Sequence, residues 1–123
     1  MHISRIAIVS IPVSDQKAAQ AFYQGKLGFK VVSDQPMGPG QRWIELAPTQ
    51  QGTTITLVTW FEEMPPGSVQ GLVLETEDIA ADYEELRAKG IEVSSIEEAE
   101  WGKFATFSDP DGNGWVLVQS PDA

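Results

Sequence analysis

One pattern is written twice along this chain, and that repetition restricts its folds more than any other feature. Asp15 and Asp78 each precede a helical stretch and lie 63 residues apart; Gly28 and Gly90 each follow one and lie 62 apart. The apolar run TITLV (Thr54 to Val58) returns as GWVLV (Gly114 to Val118), displaced by 60 positions. Two copies are too few for a solenoid, so the period points to duplication of one supersecondary unit. With 123 residues there is room for one domain made of both copies and for no second catalytic module.

Each copy reads as βαβββ. In the first, Arg5 to Val13 (RIAIVSIPV) is a β-branched apolar run that predicts a strand buried on both faces. Asp15 is placed to cap a helix over Gln16 to Leu27, with Ala18, Ala21, Phe22 and Gly25 as its packing stripe and Gly28 as a left-handed stop. Strands follow at Phe29 to Ser33, Arg42 to Ala47 and Thr53 to Thr59, separated by PMGPGQ (Pro36 to Gln41) and PTQQG (Pro48 to Gly52). Phe61 to Gln70, with Pro65, Pro66 and Gly67, reads as a linker. The second copy then gives a strand at Gly71 to Thr76 and a helix from the Asp78 cap to Lys89 with Ile79, Tyr83 and Leu86 on one face. Its remaining strands are Ile91 to Ser94, Phe104 to Ser108 and Gly114 to Gln119, the last entered through the turn Asp109, Pro110, Asp111, Gly112. The expected organisation is a single domain over residues 1–123: module one 1–60, linker 61–70, module two 71–123. The expected fold is α+β, two tandem βαβββ modules whose curved mixed sheets, covered by helices on one side only, surround a cleft.

Charge narrows the partners. Eighteen acidic against eight basic residues leave a net charge of −10, which repels phosphate backbones and anionic lipid surfaces. No nucleic acid and no membrane partner is therefore expected. The residues up to Gln70 are neutral overall, whereas residues 71–123 hold thirteen acids against Arg87, Lys89 and Lys103. This is read as a solvated acidic face, with attraction of a cationic ligand or docking of a basic partner as the sharper alternatives. The chain has no cysteine, which excludes disulfides, thiolate metal sites and a cysteine nucleophile. Neither a membrane span nor a signal peptide is evident, so a cytoplasmic location is expected.

Three segments carry a family resemblance: IPVSDQKAAQAFYQGKLGFKVV (Ile11 to Val32), LETEDIAADYEELRAKGIEV (Leu74 to Val93) and WGKFATFSDPDGNGWVLVQ (Trp101 to Gln119). Together they resemble the vicinal oxygen chelate superfamily, which includes glyoxalase I, extradiol dioxygenases, fosfomycin-inactivating enzymes and bleomycin-resistance proteins. The resemblance implies the glyoxalase/bleomycin resistance/dihydroxybiphenyl dioxygenase fold and a homodimer. It also implies where a metal would sit: metal-using members hold one divalent ion with His, Gln or Glu from four strands. By register those positions fall here on Ile8, Thr56, Gly71 and Val116, none of which is an ordinary ligand. From the residues alone, a 2-His-1-carboxylate site needs two histidines, and the chain has only His2 at a terminus expected to be solvent-exposed. Asp109, Asp111 and Asn113 superficially resemble a calcium loop but lack its downstream Glu, so a turn is the better reading. No metal and no cofactor is expected, and no catalytic residue is assigned.

Strand alternation puts Ile8 with Ser10, Thr54 with Thr56 and Val58, Val73 with Glu75, and Val116 with Val118 on common faces. The cleft floor is then small and apolar, with Ser10, Thr56 and Glu75 as its polar groups, a composition suited to a ligand pocket. Glu75 is either a cleft acid or an edge or salt-bridged residue. Trp115 falls one residue off that register and belongs to the helix-packing core. Trp43, Trp60 and Trp101 lie near strand ends beside Phe61 and Phe104, with Met37 and Met64 in neighbouring loops, and are expected to form an aromatic lip. The ligand-binding candidates are therefore Ser10, Trp43, Thr56, Trp60, Glu75, Trp101 and Phe104. The function expected is metal-independent binding or sequestering of a small molecule, cationic or aromatic, of the antibiotic- or toxin-resistance kind. The alternatives are a glyoxalase-type lyase or isomerase with displaced ligands such as Glu45 and Glu75, and an interaction module that uses the acidic half.

Overall fold

The computed structural model describes residues 1–50 and 52–121. The chain divides into two compact units, Met1–Pro66 and Gly67–Ala123, with the boundary inside the Pro65-Pro66-Gly67 stretch. Each unit has the order βαβββ.

The first unit consists of β1 (Ile8–Pro12), α1 (Gln16–Gln20) continued by a π-helical segment (Ala21–Lys26), β2 (Lys30–Pro36), β3 (Arg42–Ala47) and β4 (Thr54–Val58). Its strands lie in the order β1-β4-β3-β2. β1 runs parallel to β4 and the other pairs are antiparallel. One face of this sheet carries Ile11, Ile44, Leu46, Ile55 and Leu57, which are buried with Ala19, Phe22 and Tyr23 of the helix. The start of the helix is fixed twice. The Asp15 carboxylate accepts from the amides of Lys17 and Ala18 at 2.9 and 3.2 Å. Gln16 then bonds β3 and β4 at once, donating to the carbonyls of Arg42 (2.7 Å) and Leu57 (2.8 Å) and accepting from the Arg42 amide (3.1 Å).

Two expectations for this unit need correction. The packing stripe is Ala19, Phe22 and Tyr23, while Ala18, Ala21 and Gly25 are exposed. Ala19, Phe22 and Tyr23 stand at i, i+3 and i+4, ordinary helical spacing on the side of Gln16, whose bonds to β3 and β4 fix which face of the helix meets the sheet. The first strand is also shorter than Arg5 to Val13 and is not buried on both faces. β1 is the edge of its sheet, Ile6 and Ile8 are exposed, and burial begins only at Ile11.

The second unit consists of β5 (Leu72–Glu75), α2 (Ile79–Ala88), β6 (Glu97–Ala99), β7 (Gly102–Ser108) and β8 (Gly114–Gln119), ordered β5-β8-β7-β6. Asp78 caps α2 through the Ala81 amide (3.0 Å), and Gln119 accepts from the Ile79 amide (2.7 Å), joining the helix start to β8. Ile79 and Leu86 are buried, as are Ala105, Phe107, Leu117 and, as expected, Trp115. Tyr83 is only half-buried; its hydroxyl accepts from Arg87 at 3.0 Å.

Ile91 to Ser94 is not a strand. Only Val93 forms a bridge, to Phe107, and the second strand of this unit is Glu97–Ala99. The pairing is carried by backbone bonds at the short edge strand β6, whose sequence EEA has none of the apolar alternation by which a strand is recognised. The DPDGN segment is a closed turn. Asp109 accepts from the amides of Asp111 and Asn113 (both 2.9 Å) and from Asn113 Nδ2 (2.8 Å), while Asn113 Oδ1 accepts from the Val69 amide (3.2 Å). Both side chains are buried, so the carboxylate serves the chain's own donors.

Candidate functional site

Covering one face of each sheet with a helix leaves the other face to whatever side chains alternation sends there. In the first unit the registers align Ser33, Glu45, Thr56 and Ser10 as one row across β2, β3, β4 and β1. Two members of this row are chemically distinct. Glu45 has both oxygens engaged, Oε1 with Trp43 Nε1 (3.3 Å) and Oε2 with Thr54 Oγ1 (2.8 Å). Thr56 is 1% exposed, and its hydroxyl has no hydrogen-bond partner among the described residues. Ser10 and Thr56 are thus register partners, and Trp43 joins the same face through Glu45. Trp60 lies beyond the end of β4, half-buried, its ring 6.3 Å from that of Phe61. Glu45 was not among the expected binding residues, although its position two residues after Trp43 put both on one strand face.

In the second unit the corresponding row is Glu97, Phe104, Val118 and Glu75 across β6, β7, β8 and β5. Beside it run Thr106, Val116 and Val73. Trp101, in the β6–β7 turn, stacks on Phe104 with ring centroids 5.1 Å apart and planes 23° apart. Trp101 and Val73 are 55% and 60% exposed. The candidates Glu75, Trp101 and Phe104 therefore belong to one surface. Glu75 lies on an edge strand and is exposed, with no ion pair among the described residues. Glu97 escaped sequence reasoning because its strand did.

A depression of about 620 Å³ also opens in the first unit, between the start of α1 (Ser14 to Lys17) and the loop Gly38 to Arg42. None of the expected site residues lines it. Its walls are the Gln16–Arg42 bonds described above.

The two βαβββ units have counterparts in known proteins. The sequence profile of the Glyoxalase/Bleomycin resistance protein/Dioxygenase superfamily matches residues 3–117. The chain belongs to this superfamily. Within it, YetH of Bacillus subtilis (strain 168) is 39% identical over 121 residues, covering 95% of this chain and 99% of YetH. Among solved structures, TnmS3, described as an antibiotic binding protein from Streptomyces sp. CB03234, matches with TM-score 0.93 and 45% identity over 98% of both chains. A glyoxalase/bleomycin resistance protein from the same strain matches with TM-score 0.85 and 46% identity, over 94% of this chain and 100% of that one.

Metal-using members of the glyoxalase superfamily need oxygen or nitrogen donors at four strand positions, and the residues here do not fit such an ion. In the first unit they are Ile8, apolar, and Thr56, a neutral hydroxyl. The nearby carboxylate of Glu45 is committed to Trp43 and Thr54. In the second they are Val116 and Gly71, the latter preceding β5 and contributing no side chain. Among the described residues no group of three His, Cys, Asp or Glu side chains could hold a metal ion.

Proposed function

We propose that this protein binds and sequesters a ring-bearing small molecule without a metal ion, as a resistance protein of its superfamily. The observation that carries the reading is Thr56. A hydroxyl buried without a partner costs about 1–3 kcal/mol, and a ligand that displaces the side chains covering Thr56 would recover that cost. In this reading Thr56 and Ser10 present hydroxyls to the ligand, and Trp43 and Trp60 supply apolar contact in the first unit. Glu75, Trp101 and Phe104 are the contacting residues of the second. The similarity to TnmS3, an antibiotic binding protein, supports the same class of ligand.

The test is a titration of tryptophan fluorescence with two probes, metal-free bleomycin and a neutral anthraquinone, each with and without a chelator. Saturable quenching that ignores the chelator and weakens in Thr56→Val is the expected outcome. The proposal fails if neither probe saturates. It also fails if the purified protein holds stoichiometric zinc, nickel, manganese or iron that is lost when Thr56 or Glu75 is replaced, or if it turns over the methylglyoxal–glutathione hemithioacetal in a chelator-sensitive way.

A further inference from the structure

We propose that the open face of the second unit's sheet selects a flat aromatic dication, with its two positive ends at Glu75 and Glu97. This inference rests on the small-molecule reading above and names the ligand class that one surface would take.

The face is an apolar strip closed by a carboxylate at each end. Glu97, Phe104, Val118 and Glu75 occupy successive strands of one row. Val116 and Val73 widen the strip, and Trp101 stacked on Phe104 gives it a two-ring aromatic wall. No Lys or Arg of these strands shares the face. Lys103 alternates onto the opposite side with Ala105 and pairs there with Glu98 at 3.9 Å. Among the described residues neither the Glu75 nor the Glu97 carboxylate has a hydrogen bond or ion pair.

That arrangement discriminates between ligands by charge. A neutral flat molecule laid along the strip would take two carboxylates out of water with nothing to pair them. A ligand with an amidinium or ammonium at each end would give each carboxylate a partner while its rings lie against Phe104, Trp101 and Val118. Strands are spaced by roughly 4.8 Å, so the row from Glu97 to Glu75 spans about 14 Å. Two linked aryl rings with a terminal amidinium on each suit that length.

The test compares three probes on one skeleton: a diaryl bis-amidine, its mono-amidine and the neutral bis-nitrile, each titrated by fluorescence against the full chain. The bis-amidine is expected to bind about tenfold more tightly than the mono-amidine and to weaken as salt is raised. Glu75→Gln and Glu97→Gln should each cost it up to about fivefold, and Trp101→Ala about tenfold. Both carboxylates are exposed, so circular dichroism of the Gln variants should match the parent. Equal affinity for the bis-nitrile, or no effect of either Gln variant, overturns the proposal. If the bis-nitrile binds and Thr56→Val weakens it while the Gln variants do not, the dication assignment falls and sequestration stands. If no probe of this skeleton binds, the assignment also falls, and the bleomycin and anthraquinone titrations decide sequestration separately.

Discussion

Replacing Thr56 with valine should make the protein more stable and a poorer binder. The substitution keeps the branched shape and exchanges a hydroxyl for a methyl group. In most buried positions this is costly because the hydroxyl's partner is orphaned, but Thr56 Oγ1 has no partner among the described residues and is almost fully covered. Removing it relieves a desolvation cost of about 1–3 kcal/mol and buries one further methyl group; a central value of about 1.5 kcal/mol is expected. For a chain of this length that corresponds to a rise in Tm of roughly 5–7 °C. The measurement is urea and thermal unfolding followed by both near-ultraviolet circular dichroism and tryptophan fluorescence. Coincident transitions are needed because the chain forms two compact units. Loss of ligand affinity by about tenfold should accompany the gain, the pattern of a polar group retained for binding at the expense of stability. Destabilisation by more than about 0.5 kcal/mol would mean that the hydroxyl has a structural partner, and the argument from burial would fail. Stabilisation with ligand affinity untouched would remove Thr56 from the site.

Asp109→Ala strips three hydrogen bonds from a buried turn and should cost about 3–4 kcal/mol in a urea denaturation. Gly102→Ala should cost about 3 kcal/mol or more: its Cβ would lie 2.3 Å from the Gln119 carbonyl oxygen, at a φ of 139°, and expression yield and melting temperature will report it. Gln16→Leu removes the bonds from α1 to Arg42 and Leu57, and a loss of about 2 kcal/mol is expected, with faster hydrogen exchange at the Arg42 amide as the local signature. Glu45→Leu frees the Trp43 indole N–H from its carboxylate and should shift tryptophan emission, whereas Glu45→Gln, which keeps an acceptor, should shift it less.

Much of this architecture is legible in local chemistry because each signal acts within a few residues. The helix starts at Asp15 and Asp78 were readable since a cap needs only its own carboxylate and the next turn's amides. The turn at Asp109 was readable for the same reason, and strands β3, β4 and β8 were readable as alternating or β-branched runs. Alternation placed Ser10 and Thr56, and Glu75 and Val118, on inward faces without pairing them; the strand register then aligns Ser10 with Thr56 and Glu75 with Val118. What escaped depends on interactions that no local window contains. The choice of Ala19, Phe22 and Tyr23 as the packed face is such a case, because the Gln16 bonds to β3 and β4 orient the helix. So is the Glu97–Ala99 strand, which exists because β7 offers it a free edge, and so is the engagement of Glu45 by Thr54.

The amino-acid order settles the duplicated βαβββ plan, the side-chain chemistry of each strand face and the scarcity of histidine and cysteine, since these follow from residue type and a two-residue period. Tertiary pairing alone decides which polar atoms are satisfied. A carboxylate such as Glu45 and a hydroxyl such as Thr56 have equal need of partners when the chain is unfolded. Only the alignment of β3 with β4 brings Thr54 to the one, beside the Trp43 of its own strand, and leaves the other buried with no partner among the described residues.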